Sequence, residues 1–317
     1  IGSVGTGTAP ERLFVQGRYA YVTNQTSATF QIFDVSNPAT PVLMSTLSIG
    51  ANPRASYVQG KYAYVTSLTN ATLQIIDISN PTSPIIVGSV ATTLNYDVYV
   101  QGRYAYLVGN NGLEVIDVAN PVSPVRVGVV AGFSNPRQLY VHGSYAYVTN
   151  AGNATLSVVD ISNPVAPSIV GSTATETGPQ GVSVQGRYAY VANFNSNTLQ
   201  IFDISNPAAP TSIGSVATSA RPYRISVQGR YLYVNEDTSG ALHIFDISDP
   251  ITPTSVGSTT AVGGQAYDVV VQGRYAYTIS RTTNILQIFD VGGAYVQQLE
   301  TGGIETGTLT LRNNLQV

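Results

Sequence analysis

Seven near-copies of one block, VQGRYAYV, predict an all-β fold: a seven-bladed β-propeller of four-stranded antiparallel blades, its ring closed by the N-terminal strand. The block begins at Val15, Val58, Val100, Val141, Val184, Val227 and Val271, at intervals of 41 to 44 residues, the length of one blade. A second block trails each copy: IFDVSNP from Ile32, IIDISNP from Ile75, VIDVANP from Val115, VVDISNP from Val158, IFDISNP from Ile201, IFDISDP from Ile244 and IFDVGG from Ile288. Between these landmarks apolar residues alternate over strand lengths. No useful 3.6-residue period occurs, so helix is expected to be nearly absent.

The sixth unit shows the four strands in order. Residues 223–228 alternate and meet Gly229, giving an inner strand that ends in a tight turn. Residues 231–235 form the second strand, and Asp237, Ser239 and Gly240 supply turn chemistry. Residues 241–247 make the third strand. Asp249-Pro250 and Pro253 then break the ladder, because proline lacks the amide donor. The outer strand covers about 254–258, and Gly263 and Gly264 lie in the crossover to the next unit. A ring must pair its first and last units, since open sheet edges invite aggregation. Residues 1–4 match the outer strand of the repeat, and the seventh unit has an atypical fourth strand, so the N-terminus is expected to fill that slot; Tyr295–Leu299 is the competitor. The propeller is thus expected over 1–301, followed by an extension over 302–317.

Comparison between repeats isolates a pair. Arg18, Lys61, Arg103, Arg187, Arg230 and Arg274 open the second strand in six units, with Ser144 in the fourth, and Asp34, Asp77, Asp117, Asp160, Asp203, Asp246 and Asp290 close the third strand in all seven. The 16-residue spacing (14 in the third unit) sets base opposite acid across a hairpin. Repetition favours a structural brace over a catalytic pair, worth at most about 1 kcal/mol where exposed.

The stretch LQIFDISNPAAPTSIGS from Leu199 resembles the LVIVD-repeat family, over residues 1 to about 291, with Val291-Gly292-Gly293 departing from the pattern in the seventh unit. The resemblance implies a β-propeller and display on bacterial or archaeal surfaces, and it brings no shared catalytic residues. WD40 repeats are disfavoured because the chain has no tryptophan. Residues 303–317 alternate in part and resemble the start of the β-structured stalks of phage tail fibres and surface fibres, which implies a homo-oligomer, a trimer, through this extension; a disordered end is the other reading. The chain begins at Ile1 in mid-repeat, IGSVGTGTAP matching IGSVATSARP from Ile213, so a processed or excised fragment is expected.

Composition narrows the function classes. Only 10% of residues are charged and the net charge is −3, so nothing electrostatic calls for nucleic acid or an anionic membrane. No run approaches 18 apolar residues, so no membrane insertion is expected, and with no cysteine there is no disulfide or thiolate metal site. No nucleophile, phosphate-loop or metal motif is present, so neither catalytic residues, metal nor cofactor are expected. His142 and His243 each replace a repeat glutamine and read as framework substitutions.

What remains is the variable part of the repeat. The crossover and the second-to-third hairpin emerge on one face. Three residues before each block's valine stand Arg12, Ala55, Asp97, Gln138, Gly181, Arg224 and Asp268; one earlier stand Glu11, Arg54, Tyr96, Arg137, Gln180, Tyr223 and Tyr267. Near-identical units that diverge here suggest a rigid frame with one individualised face, and tyrosine and arginine are favoured in contact hot spots. Arg54, Tyr96, Asp97, Arg137, Tyr223, Arg224, Tyr267 and Asp268 are therefore the candidate ligand-binding set, expected to be exposed. The leading expectation is a non-catalytic, extracellular recognition or adhesion head that binds a glycan or a surface protein. The alternatives are a structural module tiling a sheath or matrix, and a carbohydrate-active enzyme using Asp97, Asp268 or Glu176 as paired acids.

Overall fold

A computed structural model describes residues 1–110, 112–259 and 263–292. These form seven four-stranded antiparallel sheets arranged as the repeats predict, and no helix occurs among the described residues. Blade one runs Pro10–Gln16, Tyr19–Asn24, Thr29–Asp34 and Val42–Ser48, from inner strand to outer strand. Each inner strand ends at the block's glycine, which adopts a left-handed φ near +60° in all seven copies, from Gly17 to Gly273. A side chain would strain that turn, so glycine recurs there.

The ring closes as expected. Gly2–Gly5 lies antiparallel beside Ile285–Asp290 and completes blade seven, with Gly2 opposite Ile288 and Gly5 opposite Ile285. The amide of Thr6 extends the pairing to the Asn284 carbonyl at 2.8 Å. Tyr295–Leu299 and the extension over 302–317 lie outside the described residues.

The core is spread between blades. At the closure, Leu13, Val15 and Phe33 of blade one pack with Tyr277, Leu286 and Ile288 of blade seven, and Val4 adds to this cluster. Two further contacts stitch neighbours. On the face of the tight turns, Gln16 donates to the Gly60 carbonyl at 2.9 Å, Gln59 to Gly102, Gln101 to Gly143, Gln185 to Gly229, Gln228 to Gly273, and Gln272 back to Gly17. At the rim, the outer-strand glycine lies against the next blade's Asn-Pro turn: a Cβ on Gly88 would sit 2.0 Å from the Pro121 carbonyl oxygen, and one on Gly2 2.1 Å from that of Pro38. The glutamine of VQG and the glycine of the outer strand are thus interface residues.

The brace is present, with a correction. All six bases reach their aspartates, but each base lies in the turn before the second strand: Asp34 is in register with Tyr19, and the Val35 amide donates to the Arg18 carbonyl at 2.8 Å. The aspartate does a second job. Its other oxygen accepts an amide two residues on, Ser36 for Asp34 and Ser162 for Asp160, fixing the turn into the Asn-Pro segment. That turn explains why the fourth unit keeps Asp160 although its base is Ser144.

Candidate functional site

Alternation along the inner strand sends every second side chain into the central channel. The third-strand residue in the glutamine column holds the crossover above it: Gln31 accepts from the Gly7 amide at 2.8 Å, Gln74 from Gly50 at 2.9 Å, Glu114 from Thr93 at 2.9 Å and Gln200 from Glu176 at 3.0 Å. The crossover face is therefore built on backbone fixed by buried or half-buried side chains.

The eight candidate residues gather at the channel mouth on this face, but they are not the exposed loop set the sequence suggested. Asp97 is 0% exposed, Asp268 5%, Tyr267 6% and Arg224 8%; Arg54, Tyr96, Arg137 and Tyr223 are half-buried. The cause is that they lie on inner strands, not in loops: Pro53–Gln59, Asn95–Gln101, Pro136–His142, Pro222–Gln228 and Ala266–Gln272. Their polar atoms are then largely consumed by one another. Arg12 reaches past blade two to bond Asp97 and lies 3.8 Å from Asp268. Asp97 also accepts the Leu139 amide of the next blade at 3.0 Å, Asp268 the Leu13 amide at 2.9 Å, and Gln138 the Val182 amide at 2.9 Å. Where the residue three before the valine carries an acceptor, it fastens its inner strand to the next one.

Around this centre runs a belt of arginines and rings. Glu11, 4% exposed, pairs with Arg54 at 2.7 Å and faces Arg281 at 3.6 Å. Arg54 and Arg137 lie over the Tyr96 ring, Arg224 over Tyr223 and Arg281 over Tyr267; Tyr223 and Tyr267 share a 2.7 Å hydroxyl contact. Burial pushes the carboxyls of Glu11 and Asp268 above their usual range, and the nearby arginines oppose that shift. Among the described residues no carboxylate lies at ion-pair distance from Arg137 or Arg224, and Arg137 Nε and Arg224 Nε and Nη1 are buried without a hydrogen-bond acceptor. Beneath the mouth a cavity of about 180 Å³ opens between Arg12, Gln138 and Asp268 at its charged end and a wall of Tyr57, Tyr99 and Tyr140. These rings pack in sequence in tilted contacts, with centroids 4.5 and 5.3 Å apart. Sequence reasoning left Glu11 and Arg12 out of the set and missed this wall, although Phe14, Tyr57, Tyr99 and Tyr140 form a column two residues on from Arg12 and so face the same way. No group of residues able to hold a metal ion occurs among the described residues.

The LVIVD repeat matches residues 7–48, 57–92, 95–131, 135–175, 179–218, 222–261 and 263–292. The chain belongs to the LVIVD-repeat family. No curated protein matches it. Among solved structures, this LVIVD-repeat propeller is similar to Kuenenia stuttgartiensis hydrazine synthase (15% identity, TM-score 0.74, covering 91% of this chain and 97% of the other). It is also similar to the Cps50 (Swd1) β-propeller domain of Myceliophteria thermophila (12%, 0.76, 92% and 98%) and to a candidate 6-phosphogluconolactonase of Bacteroides fragilis (15%, 0.72, 89% of each). At such identities the likeness is one of fold.

One arrangement in the LVIVD-repeat chain looks catalytic. On blade six His243 Nε2 lies 2.7 Å from Ser255 Oγ and Nδ1 lies 3.2 Å from Glu236 Oε1, the contacts of a Ser–His–acid triad. Burial alone would raise the Glu236 carboxyl, but hydrogen bonds from His243, Ser219 and Ser239 outweigh it and hold it at about 2. Blade five makes the same contacts without a base: Gln200 Nε2 donates to Ser212 at 3.0 Å, and Gln200 Oε1 accepts from Asn193 at 3.2 Å. His243 therefore joins with an imidazole the same two positions that a carboxamide joins next door, donating toward Glu236 where Gln200 accepts from Asn193, in keeping with a framework substitution. His142 differs: it leaves the glutamine ring, and with Ser144 it lines an open recess between blades four and five.

Proposed function

We propose that this LVIVD-repeat propeller is a non-catalytic recognition head that acts outside the cell or on a surface, binding a glycan or a surface protein at the channel mouth of its crossover face. The observation that carries this reading is the belt itself. Units that agree at their braces, turns and blade seams differ at Arg54, Tyr96, Arg137, Tyr223 and Arg224, and these differences converge on one mouth backed by fixed crossovers. Half-buried tyrosines offer rigid contact area at little entropic cost, and arginine forks left without acceptors favour a polar partner. Display on a stalk or envelope follows the surface occurrence that the family resemblance implies. Of the acids an enzyme could use, Asp97 and Asp268 are buried and bonded to inner-strand amides, and Glu176 is bonded to Thr198 at 2.7 Å.

The test is a glycan array followed by titration of the strongest hit against Tyr96→Ala and Tyr223→Ala. Each should weaken binding by about 1 to 2 kcal/mol if the ring is an anchor. Ser123→Ala, beside an Asn-Pro turn on the opposite face, should leave affinity unchanged. Unchanged affinity in both tyrosine variants, or loss in the control, places the contact elsewhere.

A further inference from the structure

The fourth unit departs twice from its siblings, and both departures fall at one seam. In six units a base lies over the ring of the next residue, from Arg18 over Tyr19 to Arg274 over Tyr275, and reaches the aspartate that ends the third strand. The fourth unit keeps the ring and the acid without the base. Tyr145 stands opposite Asp160 as Tyr19 stands opposite Asp34, and the Ile161 amide donates to the Ser144 carbonyl at 2.9 Å as Val35 does to Arg18. One oxygen of Asp160 accepts the Ser162 amide at 2.8 Å. Among the described residues no base lies at ion-pair distance from this carboxylate, and only Ser162 draws it below its usual range, where Arg187 leads for Asp203. The seat faces solvent, since the five arginines that fill its counterparts are 51 to 59% exposed. The second departure is His142. It stands where a glutamine elsewhere crosses to the next blade, so the Gly186 carbonyl, unlike those of Gly60 and Gly229, receives no such bond. His142, Ser144, Tyr145 and Gly186 line one recess of about 360 Å³ between blades four and five; Arg187 lines it too, already paired with Asp203.

We propose that this seam receives an arginine side chain of a partner protein, its guanidinium lying over Tyr145 and bonding Asp160, with an adjacent backbone amide of the partner donating to the Gly186 carbonyl. The repeat itself is the template, because six copies of the seat hold a cation within this chain. Arginine suits it better than lysine: five arginines bond their aspartates directly, whereas Lys61 Nζ stays 4.0 Å from Asp77. A planar guanidinium lies on a ring and bonds a carboxylate at the same time, which a point charge on a flexible stem does less well. The arginine must come from outside, and Ser144, short and exposed, leaves its approach open. A cavity of about 150 Å³ admits one benzene-sized ring, so the 360 Å³ recess has room for the residues that flank the arginine. The seam lies on the face of the tight turns, away from the channel mouth, and does not depend on what binds there.

The probes are N-acetyl-arginine methylamide, its lysine and citrulline counterparts, and the peptide Gly-Ser-Arg-Ser-Gly, titrated into the full chain and followed by amide and aromatic NMR shifts. The arginine probe should bind about fivefold tighter than the neutral citrulline one, the scale of an exposed ion pair, with lysine between them. The shifts should concentrate at Tyr145, Ser162 and Gly186. The peptide should bind several-fold tighter than the blocked arginine, and His142→Gln, which returns a glutamine to the Gly186 carbonyl, should remove that gain alone. Asp160→Asn keeps an acceptor for the Ser162 amide and should erase the preference for arginine over citrulline. Ser144→Arg installs the missing base: it should lower the pH at which Asp160 titrates, leave the melting temperature at or above that of the parent, and abolish the preference for arginine. The proposal is overturned if citrulline matches arginine, if the preference survives Ser144→Arg, or if the shifts spread evenly over the seven units. An Asp160 that titrates in Ser144→Arg as it does in the parent means that the fourth seat is not built like the others, and overturns it too. Binding of the blocked arginine without the peptide makes the seat one for small guanidinium compounds, and the protein partner is then wrong.

Discussion

Replacing Asp97 by alanine tests whether the channel mouth is a buried scaffold or a set of solvated loop residues. Asp97 is 0% exposed, holds Arg12 with one oxygen and accepts the Leu139 amide at 3.0 Å with the other. Truncation leaves Arg12, itself 8% exposed, with only the looser 3.8 Å contact to Asp268 and orphans an inner-strand amide. Breaking a buried pair from one side costs about 3 to 5 kcal/mol, with the orphaned amide counted within that range. At roughly 2.1 cal/mol/K per residue the unfolding entropy of this 317-residue chain is about 0.7 kcal/mol/K, so the melting temperature should fall by roughly 4 to 7 °C. Scanning calorimetry with a matched urea titration measures it. Asp97→Asn, which keeps shape and an acceptor, should lose less, and the double change Arg12→Met with Asp97→Leu should recover part of the loss because the closely paired Arg12 charge leaves with its partner. A shift below about 1 °C for Asp97→Ala, the value expected of an exposed site, would refute the buried network.

Removing residues 1–5 takes Gly2–Gly5 from blade seven and Val4 from the closure cluster, so the deletion should melt lower and aggregate on scanning; a melting temperature equal to that of the full chain would sink N-terminal closure. Glu236 sits at about 2 against an ordinary 4.5, so the unfolded chain binds more protons between those values. Its contribution is therefore present above pH 4.5 and lost as the pH falls toward 2, and Glu236→Gln should flatten that part of a melting-temperature profile. His243→Gln can keep both contacts with its carboxamide turned the opposite way from Gln200, its amide donating to Glu236 and its oxygen accepting from Ser255, and should leave stability within about 0.5 kcal/mol, with neither parent nor variant labelled at Ser255 by a fluorophosphonate; labelling at Ser255 would make the blade-six contacts a working triad.

The ring was legible because repetition turns one chain into seven aligned examples. Alternation, the φ-positive glycine and the Asn-Pro break recur at fixed spacing, and a strand that lacked a blade at Gly2–Gly5 pointed to the gap in blade seven. The columns of the mouth were legible too, but their burial was not. Divergence between repeats suggests exposure, whereas Arg12, Asp97, Arg224 and Asp268 differ because they answer one another across the channel. Such complementarity depends on which blades face each other, which no single repeat encodes. Likewise no single repeat reveals the role of Gln16 and Gln59, since the bond from each glutamine to the next blade's glycine carbonyl spans about one whole repeat.

The same columns explain why the units could not stay identical. Seven arginines at the position three before the valine would crowd one narrow channel with like charge, and seven aspartates would do the same with the opposite sign. The chain mixes them: Arg12 crosses to Asp97 past Ala55, whose methyl group is too short to obstruct it, and Gly181 admits the backbone of blade six, since a Cβ there would sit 2.7 Å from the Tyr223 carbonyl oxygen. Individualising the inner strands is thus first a condition of closing the ring and only then an opportunity for binding. Asp97 and Asp268 were committed to that closure. Arg224 is drawn into the same network by the charges of Asp97 and Asp268, although its Nε and Nη1 bond to neither.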